Sequence, residues 1–277
     1  MNITLEKNNM TRPPLKEKNG IVLTVLGSGT AAPSLERSSS ALIARIKEKQ
    51  LLFDMGPGTT RRILEAGMDV FQTSFLFLTH FHPDHSGELA SFLFSLKYAN
   101  DTGRNIPLTI IGGKGLLGFY RRLNNVYGHW IEPAGSVPRF IEMDNGRADF
   151  LSFGEFTVKS MPVDHNDESI AFRIADAAGN SFVYSGDTDY CESLIELSDH
   201  TGLLICECSF PEGHKVKGHL TPGLAGKIAT KGNVHGLVLT HFYPECDEAD
   251  IEKQCQKTYD GPLTLARDLM TLNVTQG

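Results

Sequence analysis

The chain has 277 residues, 40% of them hydrophobic, which suffices to bury a sizeable core in one large α/β domain or in two fused halves. A formal charge of -7 and an isoelectric point near 5.8 disfavour an extended basic face for nonspecific nucleic-acid binding. No apolar run reaches membrane-spanning length, and five cysteines without a Cys-x-x-Cys pair argue against a disulfide framework, so a cytoplasmic protein is expected.

Residues 1–19 are polar, mixed in charge and carry Pro13-Pro14; they read as a mobile leader without the apolar core of a signal peptide. Residues 20–277 are expected to form a single domain built of two β/α halves. The run 21–26 is β-type and stops at Gly27-Ser28-Gly29-Thr30, and 41–46 with 51–53 predicts a hairpin ending at Asp54-Met55-Gly56-Pro57-Gly58. A short helix is expected over 60–66. The apolar run 75–78 reads as a strand, and 86–98 places Leu89, Phe92, Leu93 and Leu96 at helical spacing, as for a helix packed on a sheet. Between them stands Thr79-His80-Phe81-His82-Pro83-Asp84-His85. Its three imidazoles and one carboxylate at the end of a strand are the donors needed to hold two transition-metal ions side by side, zinc first, with manganese or iron as alternatives.

The segment 118–132 holds the only Trp, two adjacent Arg and a His between glycines; it reads equally as a substrate-facing lid or as an amphipathic helix and loop on the surface. Strands are then expected at 156–161, 170–174, 181–184, 203–206 and 237–239. Two letter echoes link the halves. Thr79-His80-Phe81 returns as Thr240-His241-Phe242, and Leu52-Phe53-Asp54-Met55-Gly56 is echoed by Val183-Tyr184-Ser185-Gly186-Asp187. Two ions need more ligands than the first loop supplies, and the candidates that follow apolar strands are His165, Asp187 and His241. One ion is assigned His80, His82 and His165, the other Asp84, His85 and His241, with Asp187 between them.

This pattern resembles the metallo-β-lactamase superfamily, and within it the ribonuclease Z-like branch. The resemblance runs over about 21–243 and rests on Gly27-Ser28-Gly29-Thr30-Ala31-Ala32-Pro33-Ser34 with Arg37, the 53–59 turn, the His80-to-His85 motif, His165, Ser185-Gly186-Asp187-Thr188 and His241. Weaker matches are Cys206-Glu207-Cys208-Ser209-Phe210, similar to a His-Glu-Ala-Thr segment, and Gly218-His219-Leu220-Thr221-Pro222, similar to a His-Ser-Thr segment. The resemblance implies a four-layer αββα sandwich with a dinuclear zinc site at its edge, His219 as proton donor to the leaving group, Glu207 orienting it, and a homodimer. Read on its own, His219 has an alternative as a helix N-terminal residue. Bacterial ribonuclease Z inserts a long arm between the positions of His165 and Asp187. Here the 21 residues from 166 to 186 are taken up by two strands and a Gly179-Asn180 turn, which argues against transfer RNA as substrate.

The expected reaction is hydrolysis of a small or single-stranded phosphodiester by a hydroxide bridging the two metals, with Asp84 orienting the nucleophile. The competing expectation is hydrolysis of a carboxylic ester, thioester, lactone or sulfate ester, as in glyoxalase II-like, lactonase-like or arylsulfatase-like enzymes. A third is a non-hydrolytic protein, either a di-iron redox enzyme or a metal-stabilised binding module.

Overall fold

The computed structural model describes residues 20–98, 106–132 and 138–274, so the expected leader lies outside the described residues. In chain order the strands are β1 (Ile21–Gly27), β2 (Ala41–Ile46), β3 (Lys49–Phe53), β4 (Thr73–Leu78), β5 (Thr109–Gly113), β6 (Arg139–Met143), β7 (Asp149–Ser152), β8 (Phe156–Pro162), β9 (Ile170–Asp176), β10 (Ser181–Tyr184), β11 (Leu203–Glu207), β12 (Leu237–Thr240), β13 (Leu263–Leu265) and β14 (Thr271–Val274). The helices are α1 (Thr59–Glu65), α2 (Pro83–Ser86), α3 (Leu89–Tyr98), α4 (Leu116–Tyr127), α5 (Glu192–Ser198), α6 (Pro222–Lys231) and α7 (Ile251–Cys255). None of them is long and apolar enough to cross a membrane.

Two seven-stranded sheets run in the orders β14-β1-β2-β3-β4-β5-β6 and β13-β12-β11-β10-β9-β8-β7. Each has an antiparallel half, β14 to β3 and β7 to β10, that joins a parallel half, β3 to β6 and β10 to β13. The alternation of side chains along a strand explains the layers. In β3 and β4, Phe53 and Phe77 point into the core shared by the sheets, whereas Leu52, Leu76 and Leu78 point outward to meet Ile63 of α1 and Leu89, Phe92 and Leu93 of α3. Helices α5 and α6 cover the second sheet in the same way, which completes the four-layer αββα sandwich. Phe53 stacks on Phe77 at 4.6 Å and meets Phe182 edge-on at 5.4 Å, so the two sheets are joined by aromatic contacts directly beneath the parallel strand ends.

Two local departures from the sequence reading have plain causes. The expected helix over 86–98 is split, because the Glu88 N–H donates to the Met55 carbonyl at 3.0 Å; Ser86 closes the short α2 and α3 starts at Leu89. The echo between Thr79-His80-Phe81 and Thr240-His241-Phe242 does not follow the symmetry of the sheets. β4 is the direct parallel neighbour of β3, whereas β12 is separated from β10 by β11. The other echo does follow it, since β3 and β10 are the strands at which each sheet changes from antiparallel to parallel pairing.

Candidate metal centre

The carboxyl ends of β3, β4, β10, β11 and β12, with the loop after β8, meet at one edge of the sandwich. β4 ends at Leu78, and the next seven residues turn through α2, delivering His80, His82, Asp84 and His85. That turn is held against the β3 loop by a hydrogen bond from Met55 N–H to the His85 carbonyl and by a very close backbone approach: a Cβ on Gly56 would lie 2.0 Å from the Asp84 carbonyl oxygen, so no other residue fits there. His165 follows β8, Asp187 follows β10 and His241 follows β12. His241 adopts φ 61°, an uncommon conformation for a non-glycine residue, and its neighbour is pinned by a hydrogen bond from Phe242 N–H to the Ser28 carbonyl at 3.0 Å.

All seven sequence-predicted donors come together. His80, His82, His165 and Asp187 offer ligand atoms within 4.8 Å of one another, and so do Asp84, His85 and His241. Asp187 faces both groups. Its Oδ2 lies 3.8 Å from His80 Nε2 and from His165 Nε2, while its Oδ1 lies 3.1 Å from His85 Nε2 and 3.2 Å from His241 Nε2. Asp84 Oδ2 is 3.8 Å from His85 Nε2 and 3.6 Å from His241 Nε2. A third grouping, Asp187 with His219 and His241, falls within the same 4.8 Å limit.

The donor set fits divalent cations on three observations. His80 Nε2 is buried and, among the described residues, has no hydrogen-bond partner, an arrangement that is costly without a cation. The ring nitrogens of His85 and His241 approach to 3.2 Å and those of His82 and His165 to 3.3 Å, close to the spacing of about 3.3 Å set by two zinc–nitrogen bonds of about 2.0 Å at a tetrahedral angle. Four of the five imidazoles are also oriented through their other nitrogen. The Nδ1 atoms of His80, His85, His165 and His241 lie within 3.1 Å of Thr79 Oγ1, Asp54 Oδ2, the Gly218 carbonyl and Ser209 Oγ respectively. Asn166 Nδ2 contacts His82 Nε2 at 3.1 Å, leaving Nδ1 of that ring toward His165.

Electrostatics favour ligation in the same places. Burial, with the neighbouring His85, pushes His80 well below the usual imidazole range and keeps it neutral. Burial likewise lowers His82. In His85 burial opposes the charge, but Asp187 and Asp54 overcome it and hold the ring well above the usual range, so a proton and a cation compete for its Nε2. For Asp187 burial also opposes the charge, and His241 and His85 win, holding its carboxyl well below the usual range. Burial works against the charge of Asp84 too, and the hydrogen bond with His241 outweighs it.

His219 and Glu207 sit beside this centre. The Glu207 carboxylate is buried and accepts from Thr188 N–H at 2.7 Å, Ser209 Oγ at 2.7 Å and Leu220 N–H at 3.0 Å, and it lies 3.0 Å from His219 Nδ1. Burial opposes protonation of His219, yet the hydrogen bond to Glu207 raises it above the usual range. His219 is not a helix N-terminal residue; α6 begins three residues later at Pro222. Cys206, the position where the resemblance expects a histidine, turns into the core instead of the site.

The sequence reading gave no role to several residues of this arrangement. Asp54, at φ 55°, is the centre of the missed set: its carboxylate accepts from Thr79 N–H at 2.8 Å and Tyr184 Oη at 3.1 Å and pairs with His85. Ser209 joins Glu207, His219 and His241 through one hydroxyl. The turn after β3 was legible as a loop, but nothing in its letters says that it reaches His85. Next to His165 and Asn166 opens a cleft of about 470 Å³ that also involves Lys114, Asp144 and Asn145; it adjoins one of about 380 Å³ at Phe81, Phe119 and Arg122. The 118–132 segment is thus mostly helix, α4 followed by a 3-10 turn at Gly128–Ile131, and Phe119 stacks on Phe81 of the metal loop at 4.9 Å.

A family described as Anti-Pycsar protein Apyc1 matches residues 21–254. A ribonuclease Z from Streptomyces avermitilis is 28% identical, over 91% of this chain and 97% of that protein. Among solved structures, the metallo-β-lactamase fold protein YhfI from Bacillus subtilis superposes with a TM-score of 0.77 at 22% identity, covering 91% of this chain and 99% of that one. The short form of human tRNase Z, ELAC1, superposes with a TM-score of 0.75 at 23% identity over 92% of this chain and 99% of that one.

Proposed function

The chain belongs to the family described as Anti-Pycsar protein Apyc1 and has the metallo-β-lactamase fold, and from that premise we propose a phosphodiesterase that holds two divalent ions, zinc in the first place. The family description names an opposition to Pycsar and not a bond, so the chemistry is argued from the site. The observation that carries it is Asp187, whose two oxygens each face a separate cluster of donors. His80, His82 and His165 would hold one ion and Asp84, His85 and His241 the other, with Asp187 common to both.

Such a pair of ions, when bound, supplies activation of a water nucleophile and neutralisation of charge on the phosphoryl oxygens. The protein groups do the rest. Asp84, partly open to solvent and charged, accepts a hydrogen bond from the attacking water and fixes its direction. The water oxygen forms a new bond to phosphorus, its proton passing by way of the Asp84 carboxylate to solvent, as the bond to the leaving oxygen breaks. His219 gives its proton to that oxygen, and Glu207 keeps the ring oriented and charged for the transfer. The chain between His165 and Asp187 turns back tightly at Asp176, where Asn180 N–H and Ala178 N–H cap its carboxylate at 2.9 Å; this supports a substrate smaller than transfer RNA.

Elemental analysis and a substrate screen test the reading together. Two zinc per chain and cleavage of bis-p-nitrophenyl phosphate, lost in Asp84→Ala, are expected. Cleavage of carboxylic esters alone by the metal-loaded protein would sink the phosphodiester assignment, and two iron per chain without hydrolysis would sink the hydrolase.

A further inference from the structure

The centre has an aromatic flank that neither metal ligation nor proton transfer employs. Phe210 and Tyr243 stack with centroids 4.6 Å apart and planes 14° apart. Both rings are half-buried, unlike the phenylalanines fully buried between the sheets. Each is tied to a residue of the centre: Phe210 follows Ser209 directly, Tyr243 follows His241 by two positions, and Tyr243 N–H donates to the Ser209 carbonyl at 3.2 Å. Phe210 lies 6.1 Å from the His219 ring at an interplanar angle of 72°, and Tyr243 lies 6.5 Å from it at 76°.

Geometry then places the leaving group. A proton donor works only within about 3 Å of the oxygen it protonates, which brings the group on that oxygen into the neighbourhood of rings that stand 6.1 and 6.5 Å from the donor's own ring. A pair of half-buried rings offers its outer faces to a flat, apolar group. We propose that Phe210 and Tyr243 are the binding surface for the leaving group and that they select a planar one. This rests on the reading of His219 as donor to the departing oxygen.

The test uses the metal-loaded enzyme and methyl p-nitrophenyl phosphate, whose ring is on the departing side and whose retained group is only a methyl. Loss of ring stacking in Tyr243→Leu or Phe210→Leu is expected to raise KM about threefold to tenfold, and Tyr243→Phe, which keeps the ring, to restore the wild-type KM. Inhibition by inorganic phosphate, which occupies the centre without any leaving group, should be the same in all variants. A wild-type KM in both leucine variants overturns the proposal. A rise in KM matched by an equal rise in the phosphate inhibition constant also overturns it, because the effect is then on the centre itself. If the wild-type protein cleaves no phosphodiester, the phosphodiesterase reading falls, and the same variants are compared on p-nitrophenyl acetate, whose ring also departs, with the same two outcomes deciding this proposal.

Discussion

Asp54 and His219 show how much one side chain can control here. Asp54 donates nothing to the candidate ions, yet it holds His85 through Nδ1 and secures Thr79, whose hydroxyl in turn contacts His80. Partners of this kind tune ligand orientation and basicity. Asp54→Asn is therefore expected to weaken zinc binding about 10- to 100-fold, read by competition with a chromophoric chelator; an unchanged affinity would remove Asp54 from the centre's support. For His219 the informative quantity is how the defect depends on the leaving group. His219→Ala should slow a diester with an alkoxide leaving group by about 10²- to 10⁴-fold, and should slow one that releases p-nitrophenolate far less, because that anion departs without a proton. Equal losses on both substrates would assign His219 a structural role. Glu207 is different again: truncation would strand the buried Thr188 and Leu220 amides, so Glu207→Ala is expected to cost stability as well as turnover.

At the level of elements, the loop between β11 and α6 couples two jobs. It carries His219, and its Gly218 carbonyl lies 2.8 Å from His165 Nδ1. Asp189, two residues after Asp187, accepts from Gly218 N–H at 3.0 Å and from Lys215 Nζ at 2.7 Å, which ties the loop to the end of β10. Gly218 has φ 85°, and a Cβ there would stand 3.0 Å from His165 Nδ1. Gly218→Ala should thus disturb the His80, His82, His165 cluster first, and metal content should fall from two ions per chain toward one, measured by elemental analysis after dialysis. Retention of both ions would contradict the assignment of His165. The strands of this region were readable from the sequence, whereas α5 and α6 were not among the expected elements; the split between α2 and α3 was not readable either, since it depends on the Glu88 amide finding a carbonyl on a different loop.

Across the whole molecule the centre joins the two sheets. His80, His82, Asp84 and His85 hang from the first sheet, and His165, Asp187 and His241 from the second, so each candidate ion would bridge both layers. Ligands that bind only the folded state stabilise it, by about 2.7 kcal/mol at a concentration 100 times the dissociation constant. For a chain of this size, chelation is expected to lower the melting temperature by about 5–10 °C, reversed by added zinc. A melting curve indifferent to chelator and zinc would argue against ions held between the sheets. The aromatic contacts of Phe53, Phe77 and Phe182 would remain to hold the layers together without them.

The amino-acid sequence by itself determined which residues could serve as ligands and that each follows a strand. A run of apolar residues ending in His or Asp is a local signal, and local signals survive in the letters. The resemblance added the αββα layering. The division of the donors between the two faces of Asp187 was a sequence expectation, but the role of Asp54, the hub at Ser209 and the aromatic flank beside His219 emerged only from the tertiary structure. These depend on contacts between strand ends far apart in the chain, such as His85 with His241, and neither a period nor a motif encodes which loop faces which. The misleading echo between β4 and β12 has the same origin. Two strands can end in the same letters because both must deliver a histidine to one edge, although they occupy different places in their sheets.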